Sequence, residues 1–222
     1  MNAVAKNQQS KPQTKPQAKR PSRPPQQVRI IGGLWKRTPL AVVDAEGLRP
    51  TPDRVRETVF NWLGHLLDGS WSQLAALDLF AGSGALGFEA ASRGMANVTM
   101  VEYHTPAYRQ LEAVKQKLQA GQVSLLRADA LTAVQGMAAR GQRFDLIFLD
   151  PPYNLGLLPK MLPVCADILS AKGLLYVESE VALTVDGEAG LDETTAAMLD
   201  GWSVIRADQA GSVYFHILQR NN

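Results

Sequence analysis

A short apolar segment that runs into a glycine-rich loop constrains the fold more than any other feature of this sequence. Residues 74–80 are typical of a buried strand, and residues 88–93 form a helical pattern after the loop. Glycines at positions 82, 84 and 87 match the pattern G-x-G-x-x-G, which permits a tight turn and a close approach of backbone to a ligand. This order of strand, turn and helix predicts an α/β fold with a parallel sheet.

The next predicted strand, residues 98–101, ends at an acidic residue. Glu102 follows Gly82 by about 20 residues, the separation at which nucleotide-binding folds carry a carboxylate that binds ribose hydroxyls. Taken alone, Glu102 is explained almost as well as a solvated charge at a strand end. The order of strand, loop, helix, strand and acid indicates a cofactor that contains a nucleoside.

A second motif, Asp150-Pro151-Pro152-Tyr153, follows the apolar run 144–149, which predicts another buried strand. The motif therefore lies at the carboxyl end of a strand, where parallel sheets bind their ligands. Asp150 and a proline-linked carbonyl can accept the two hydrogens of an exocyclic amine, and Tyr153 can stack on a flat base. The alternative is a rigid turn without chemistry, because proline also stiffens the residue before it.

Two cofactors are compatible with the glycine loop, NAD and S-adenosyl-L-methionine. Asp78 can bind a cationic amino-acid group, and S-adenosylmethionine has no pyrophosphate that would need a helix N-terminus. The Asp-Pro-Pro-Tyr motif has a role in amine methylation and none in hydride transfer. We therefore expect S-adenosylmethionine, with these residues as its candidate contacts: Thr51, Asp78, Phe80, Gly82, Ser83, Gly84, Glu102 and Asp129.

Two of these candidates also have local explanations. Asp129 follows a predicted strand at 123–126, so it can lie beside an adenine amine or cap a helix that begins at Ala130. Thr51 is predicted to be the N-cap of a helix, with Pro52 at the first helical position. For Arg56 in that helix, a solvated helix face explains the residue as well as a contact with cofactor or phosphate does.

The sequence resembles the RsmD-type family of ribosomal RNA small-subunit guanine-N2 methyltransferases. Beyond the two motifs, the resemblance rests on more specific blocks within residues 28–220: Arg29-Ile30-Ile31-Gly32-Gly33, Arg49-Pro50-Thr51, residues 53–58, Phe60-Asn61-Trp62-Leu63, residues 176–180 and Ala210-Gly211. Two places depart from the family pattern. Residues 35–39 replace a hairpin that usually contains Gly-Arg, and His104 stands where an acid is common.

The resemblance implies a Rossmann-like S-adenosylmethionine-dependent methyltransferase fold. Its sheet would be mostly parallel and seven-stranded, with an antiparallel C-terminal strand and a small N-terminal β-hairpin. The implied reaction moves a methyl group to the N2 amine of a guanine in 16S-type ribosomal RNA, on an assembled or assembling small subunit. Catalysis would rest on Asp150, Pro151, Pro152 and Tyr153. The expected RNA contacts are Arg29, Lys36, Arg37, Arg49 and Arg54.

The distribution of charge sets the domain boundaries. Residues 1–43 contain nine Lys or Arg and no acid, whereas acids outnumber bases in the remainder. We expect residues 1–27, rich in Gln and Pro, to be a disordered basic tail that either binds RNA or aids solubility. Residues 28–222 then form the methyltransferase domain, which begins with a hairpin at 28–43.

The remaining composition is that of an ordinary globular protein. Cys165 is the only cysteine, so an intrachain disulfide is impossible, and its apolar helical surroundings predict a core position. No stretch approaches the apolar length of a membrane span, and the three histidines lack the spacing of a metal site. We expect a cytoplasmic, monomeric enzyme with neither metal nor membrane.

Three other functions stay open at this point. A DNA adenine-N6 methyltransferase could use the same tetrapeptide, but such enzymes usually carry a separate recognition domain, for which this chain leaves no room. An NAD-dependent oxidoreductase would have no use for the tetrapeptide. A catalytically silent ribosome-binding module would not need the intact acids Asp78, Glu102 and Asp150.

Overall fold

Nine strands and six helices are present in the computed structural model, which describes residues 27–43, 51–183 and 192–221. The strands are β1 Gln27–Arg29, β2 Pro39–Ala41, β3 Ala75–Asp78, β4 Asn97–Val101, β5 Val123–Leu126, β6 Phe144–Leu149, β7 Leu169–Ser179, β8 Trp202–Ala210 and β9 Val213–Arg220. The helices are α1 Asp53–Leu66, α2 Ala85–Ser92, α3 Thr105–Leu118, α4 Ala130–Ala139, α5 Leu158–Ile168 and α6 Glu193–Met198.

The central sheet has seven strands in the order β5-β4-β3-β6-β7-β9-β8. The first five of these are parallel, and β9 pairs antiparallel with both β7 and β8. The predicted sheet, with its antiparallel C-terminal strand, is therefore confirmed. Because each parallel strand enters from the same side, the carboxyl ends of β3 to β7 share one edge of the sheet.

Helices cover both faces of the sheet, and the apolar strand residues pack against them in two clusters. One cluster holds α1 and α2 against the sheet, and the other holds α4 and α5. Continuous apolar runs such as β6 are expected where both faces of a parallel strand are buried. Cys165 lies in the second cluster, completely buried as predicted, and burial raises the pKa of its thiol to about 12.

The N-terminal hairpin, β1 paired with β2, forms a sheet of its own. Its turn is fastened to α2: the backbone N–H groups of Ile31 and Gly32 donate to the buried carboxylate of Glu89 at 2.6 and 2.8 Å. Gly33 has a φ of +72°, and a Cβ there would come within 1.9 Å of the Ser92 carbonyl oxygen. Only glycine fits this contact, which explains the glycine at position 33.

The start of α1 differs from the prediction in two respects. Pro52, and not Thr51, is the N-cap, and no side chain caps the helix. Arg56 is completely buried instead of solvated, because its guanidinium donates to the carbonyl oxygens of Thr51 and Arg29 and pairs with Asp53 at 2.5 Å. Burial lowers the pKa of Arg56, whereas the nearby carboxylates of Asp53 and Glu89 oppose that shift.

Parts of the predicted organisation lie outside the described residues. These are nearly all of the basic tail and Arg49. Within the described ranges, no helix is long and apolar enough to cross a membrane.

Candidate active site

A cavity of about 500 Å³ lies at the carboxyl edge of the parallel strands, where both sequence motifs meet. Each of the five parallel strands places one carboxylate residue on its wall: Asp78, Glu102, Asp129, Asp150 and Glu178. Among the described residues that line the cavity there is no Lys or Arg. An acidic concave surface attracts cationic ligands and repels anionic ones.

The glycine loop forms one end of the cavity. Gly82 and Gly84 both have positive φ angles, +51° and +80°, so the loop needs the freedom of glycine at these two positions. Gly84 is the N-cap of α2. At Gly87 a Cβ would come within 2.8 Å of the Met100 side chain, so the third glycine lets α2 pack closely on β4.

Glu102 is held against this loop. Its Oε2 accepts the backbone N–H of Gly82 at 2.7 Å, and its Oε1 accepts that of His104 at 2.6 Å. The side chain is buried, and each oxygen keeps a second lone pair that can accept a ribose hydroxyl. The carboxylate is therefore fixed in position before any ligand binds.

Asp78, at the end of β3, is almost fully buried and accepts the backbone N–H of Gly87 at 3.0 Å. Burial raises the pKa of Asp78 to about 7, and the charge of Glu102 adds to the effect, whereas the Gly87 hydrogen bond opposes it. A cationic group beside Asp78 would favour its ionised form.

Asp150 lies at the end of β6, half-buried, next to the hydroxyl of Thr51, which also lines the cavity. The Thr51 Oγ1 lies 3.4 Å from Asp150 Oδ2 and 2.6 Å from Glu178 Oε1. The phenol of Tyr176 donates to the same Glu178 oxygen at 2.7 Å. Burial, followed by the charges of Glu178 and Asp78, raises the pKa of Asp150 well above its ordinary value.

The rest of the tetrapeptide continues along the cavity wall. Pro151 is buried, Pro152 is exposed and Tyr153 is half-buried, and all three line the cavity. The turn that follows is fastened by the Asn154 N–H, which donates to Glu180 at 3.2 Å. Asp150 and Tyr153 therefore lie on the same cavity as the glycine loop, as the prediction required.

Asp129 fulfils the local role that the sequence offered as an alternative. Its Oδ1 accepts both the backbone N–H and the hydroxyl of Thr132, at 2.9 and 3.0 Å, and so caps α4. It also lines the cavity, so contact with an adenine amine stays a prediction. Phe80 and Ser83 line the same wall.

The basic candidates lie outside the cavity. Arg29, Lys36, Arg37 and Arg54 are exposed and are absent from its lining. Arg29 forms an ion pair with Asp53 at 2.7 Å, which joins the hairpin to α1. These cations therefore belong to the outer surface of the hairpin and of α1.

Sequence reasoning missed three buried polar residues around the site: Arg56, Tyr176 and Glu178. The signal available was Tyr176-Val177-Glu178, in which two polar groups interrupt an otherwise apolar strand. Because side chains at i and i+2 share one face of a strand, the proximity of Tyr176 and Glu178 could be predicted from the sequence. The contact of Glu178 with Thr51, which is distant in sequence, could not be predicted in this way.

The cavity suits a cofactor with a nucleoside and a cationic amino-acid group. Its volume lies within the range of small-molecule sites, and the fixed Glu102 carboxylate stands at the position that binds ribose hydroxyls. The acidic wall favours a positively charged ligand over a pyrophosphate, which distinguishes S-adenosylmethionine from NAD.

Comparison with known proteins gives an independent view of the chain. Residues 28–219 match the family model described as Conserved hypothetical protein 95. Ribosomal RNA small subunit methyltransferase D of Escherichia coli (strain K12) is 40% identical over 196 residues, which cover 87% of this chain and 90% of that protein.

Solved structures agree with the fold. The Escherichia coli protein yhhF is 38% identical with a TM-score of 0.70, over 88% of this chain and 98% of that one. SMU.776, solved in complex with SAH, has a TM-score of 0.62 at 16% identity, over 81% of this chain and 53% of that one. At that identity the second likeness concerns the fold alone.

Proposed function

We infer that this chain, which belongs to the Conserved hypothetical protein 95 family, is an S-adenosylmethionine-dependent methyltransferase of ribosomal RNA, and we propose that its target is the N2 amine of a guanine in the small subunit. One observation carries the proposal: the tetrapeptide that begins at Asp150 and the glycine loop at Gly82 line the same cavity. The base-binding and cofactor-binding features are thus close enough to act on one another.

The cofactor would be held by the glycine loop and by the acids at the ends of β3, β4 and β5. Glu102 would accept the ribose hydroxyls, Asp78 would pair with the amino group, and Asp129 would lie beside the adenine amine. When bound, S-adenosylmethionine supplies an electrophilic methyl group next to a positively charged sulfur. The negative wall of the cavity favours that charge.

The chain's own contribution to the reaction is alignment of the target amine. Asp150 and the Pro151 carbonyl would each accept one amine hydrogen, which turns the nitrogen lone pair toward the methyl group. The bond to Asp150 is the stronger of the two when that carboxylate is ionised. Tyr153 would stack on the base, and such stacking is worth about 1–3 kcal/mol per base. Holding both reactants in line supplies most of the acceleration.

The RNA would approach along the hairpin and α1. Arg29, Lys36, Arg37 and Arg54 are exposed there, and phosphate contacts of this kind fix orientation without reading sequence. We propose that selection of the guanine depends on the folded shape of an assembled or assembling small subunit, with the base unpaired or flipped. We propose that the enzyme acts on this substrate in the cytoplasm and as a monomer.

A pair of measurements tests this proposal. S-adenosylhomocysteine should raise the melting temperature of the wild-type chain, because a ligand that binds only the folded state stabilises it, and NADH should not. Asp150→Ala should keep that shift and lose methyl transfer to small subunits, because its bonds matter at the reacting amine. Stabilisation by NADH alone, or full activity in the Asp150 variant, would contradict the assignment.

A further inference from the structure

The carboxylates of Asp150 and Glu178 both lie next to the Thr51 hydroxyl, and the reaction proposed above uses only that of Asp150. Asp150 follows β6 and Glu178 lies near the end of the neighbouring strand β7, where Leu149 pairs with Val177. The Glu178 side chain is almost completely buried, at 3% exposure. Burying an ionised group without a partner costs free energy, so the hydrogen bonds of Glu178 indicate how its charge is stabilised.

Thr51 connects the two carboxylates. A hydroxyl has one proton to donate, and its oxygen lies 2.6 Å from Glu178 Oε1 but 3.4 Å from Asp150 Oδ2. The shorter distance is typical of a charge-assisted hydrogen bond, and the longer one exceeds the usual range. The Thr51 proton therefore belongs to Glu178, and the lone pairs of the Thr51 oxygen face Asp150.

Glu178 receives a second donor at the same atom, the phenol of Tyr176 at 2.7 Å. Two hydroxyl protons on one carboxylate oxygen, with Arg56 supplying positive charge nearby, are the surroundings of an ionised carboxylate. Glu178 thus presents a fixed negative charge behind Asp150, although burial raises its own pKa.

We propose that Glu178, acting through Thr51, is a positioning residue for methyl transfer: it holds the Thr51 proton, so that the Thr51 oxygen can accept a hydrogen bond from Asp150 only after Asp150 is protonated, and it strengthens Asp150 as the acceptor of the proton that the target amine must lose. The inference rests on the proposed function. As the new bond between nitrogen and the methyl carbon forms, the methyl–sulfur bond breaks. One amine N–H bond then breaks, its electron pair stays on nitrogen, and the proton passes to an oxygen of Asp150.

The charges around Asp150 support this role. On β7 the neighbours are Glu178 and the phenol of Tyr176, on β3 it is Asp78, and Thr51 precedes α1. Burial first, then Glu178 and then Asp78, raises the pKa of Asp150 well above its ordinary value, whereas the long contact with Thr51 at 3.4 Å opposes the shift. A carboxylate with a raised pKa is a better proton acceptor, but it is ionised only at higher pH.

Glu178→Gln separates charge from shape. Thr51 and Tyr176 both donate to Oε1, which glutamine keeps, so the substitution retains these hydrogen bonds and removes the negative charge. The acid limb of kcat against pH should move to lower pH by about one unit, because Asp150 loses a like-charged neighbour. Glu112→Gln on the exposed side of α3 is the matched control and should leave the profile in place. Superimposable profiles for the Glu178 variant and the wild type would overturn the proposal.

A second pair of variants tests the connecting hydroxyl. Thr51→Val should lower kcat more than tenfold with little change in the KM for RNA, and Thr51→Ser should restore most of the rate. Failure of serine to restore it would overturn the role of the hydroxyl.

A readout that needs neither RNA nor cofactor completes the test. The ¹³C carboxyl resonance of Asp150 in the free enzyme should titrate at lower pH in the Glu178→Gln protein than in the wild type. An unchanged midpoint overturns the inference even if the wild type methylates RNA. Absence of methyl transfer by the wild type would instead count against the proposed function alone.

Discussion

Glu89 supplies two of the hydrogen bonds that attach the hairpin turn to α2, beside those made by Ser92, so Glu89→Gln should have a large and specific effect. Glu89 is completely buried and accepts the backbone N–H groups of Ile31 and Gly32. It also forms an ion pair with Arg93 at 2.8 Å. This side chain therefore satisfies two donors of the hairpin turn and neutralises a cation at the same time.

The magnitude follows from these contacts. Glutamine keeps one acceptor oxygen, but its NH₂ group must replace the other and would then face a backbone donor. At least one N–H loses its partner, and the guanidinium of Arg93 loses its counter-charge. Removal of one partner from a fully buried ion pair costs about 3–5 kcal/mol, and because the Arg93 side chain is 22% exposed the loss should lie at or below the lower end of that range. That is still a large part of the about 5–15 kcal/mol stability of a typical domain.

Urea denaturation followed by tryptophan fluorescence measures this loss. Glu112→Gln, the same change on the exposed side of α3, should stay within about 0.5 kcal/mol of the wild type. Amide hydrogen exchange should accelerate at Ile31 or Gly32 in the Glu89 variant, since at least one of the two amides loses its acceptor. A Glu89→Gln protein as stable as the control, with unchanged exchange at both amides, would refute the argument.

Three further outcomes are expected. Gly33→Ala should destabilise the chain, because its Cβ would overlap the Ser92 carbonyl, whereas Gly64→Ala in open space within α1 should stabilise it by about 0.5–1 kcal/mol; thermal melts compare them. Burial lowers the pKa of His216 to about 4, so the unfolded chain binds a proton at this histidine at higher pH than the folded chain does. About 3 kcal/mol of folding stability is therefore present above pH 6.5 and lost as the pH falls through 4. His216→Gln should therefore lose less stability than the wild type across that window in urea titrations. Affinity for S-adenosylhomocysteine should rise with pH through 7 in calorimetric titrations, as Asp78 ionises, and Asp78→Asn should abolish that rise.

The sheet and the cavity were predictable because their signals are local. The apolar run at 144–149 coincides with β6, and the strand predicted at 98–101 lies within β4. Because the carboxyl ends of parallel strands share one edge of the sheet, the glycines and acids that follow these strands in the sequence lie close together in the fold. Only the limits differ: β3 is shorter than the apolar segment, because Leu79 and Phe80 already belong to the loop.

The buried polar cluster was not predictable from local pattern. Thr51 precedes a proline and a helix, so capping was the best local interpretation, but its hydroxyl binds Glu178 from 127 residues away. Arg56 likewise has the spacing of a surface residue, and its burial depends on carbonyl oxygens that the hairpin and the start of α1 bring together. Such contacts are properties of tertiary packing, which sequence periodicity does not contain.

Nucleoside analysis of the reaction product tests the central claim most directly. Small subunits from a strain lacking the enzyme would be incubated with the wild-type chain and isotopically labelled S-adenosylmethionine, and the RNA digested for mass spectrometry. We predict labelled N2-methylguanosine as the product, with far less label in free RNA oligonucleotides. Label in N6-methyladenine, or preferential labelling of DNA, would contradict the proposed target.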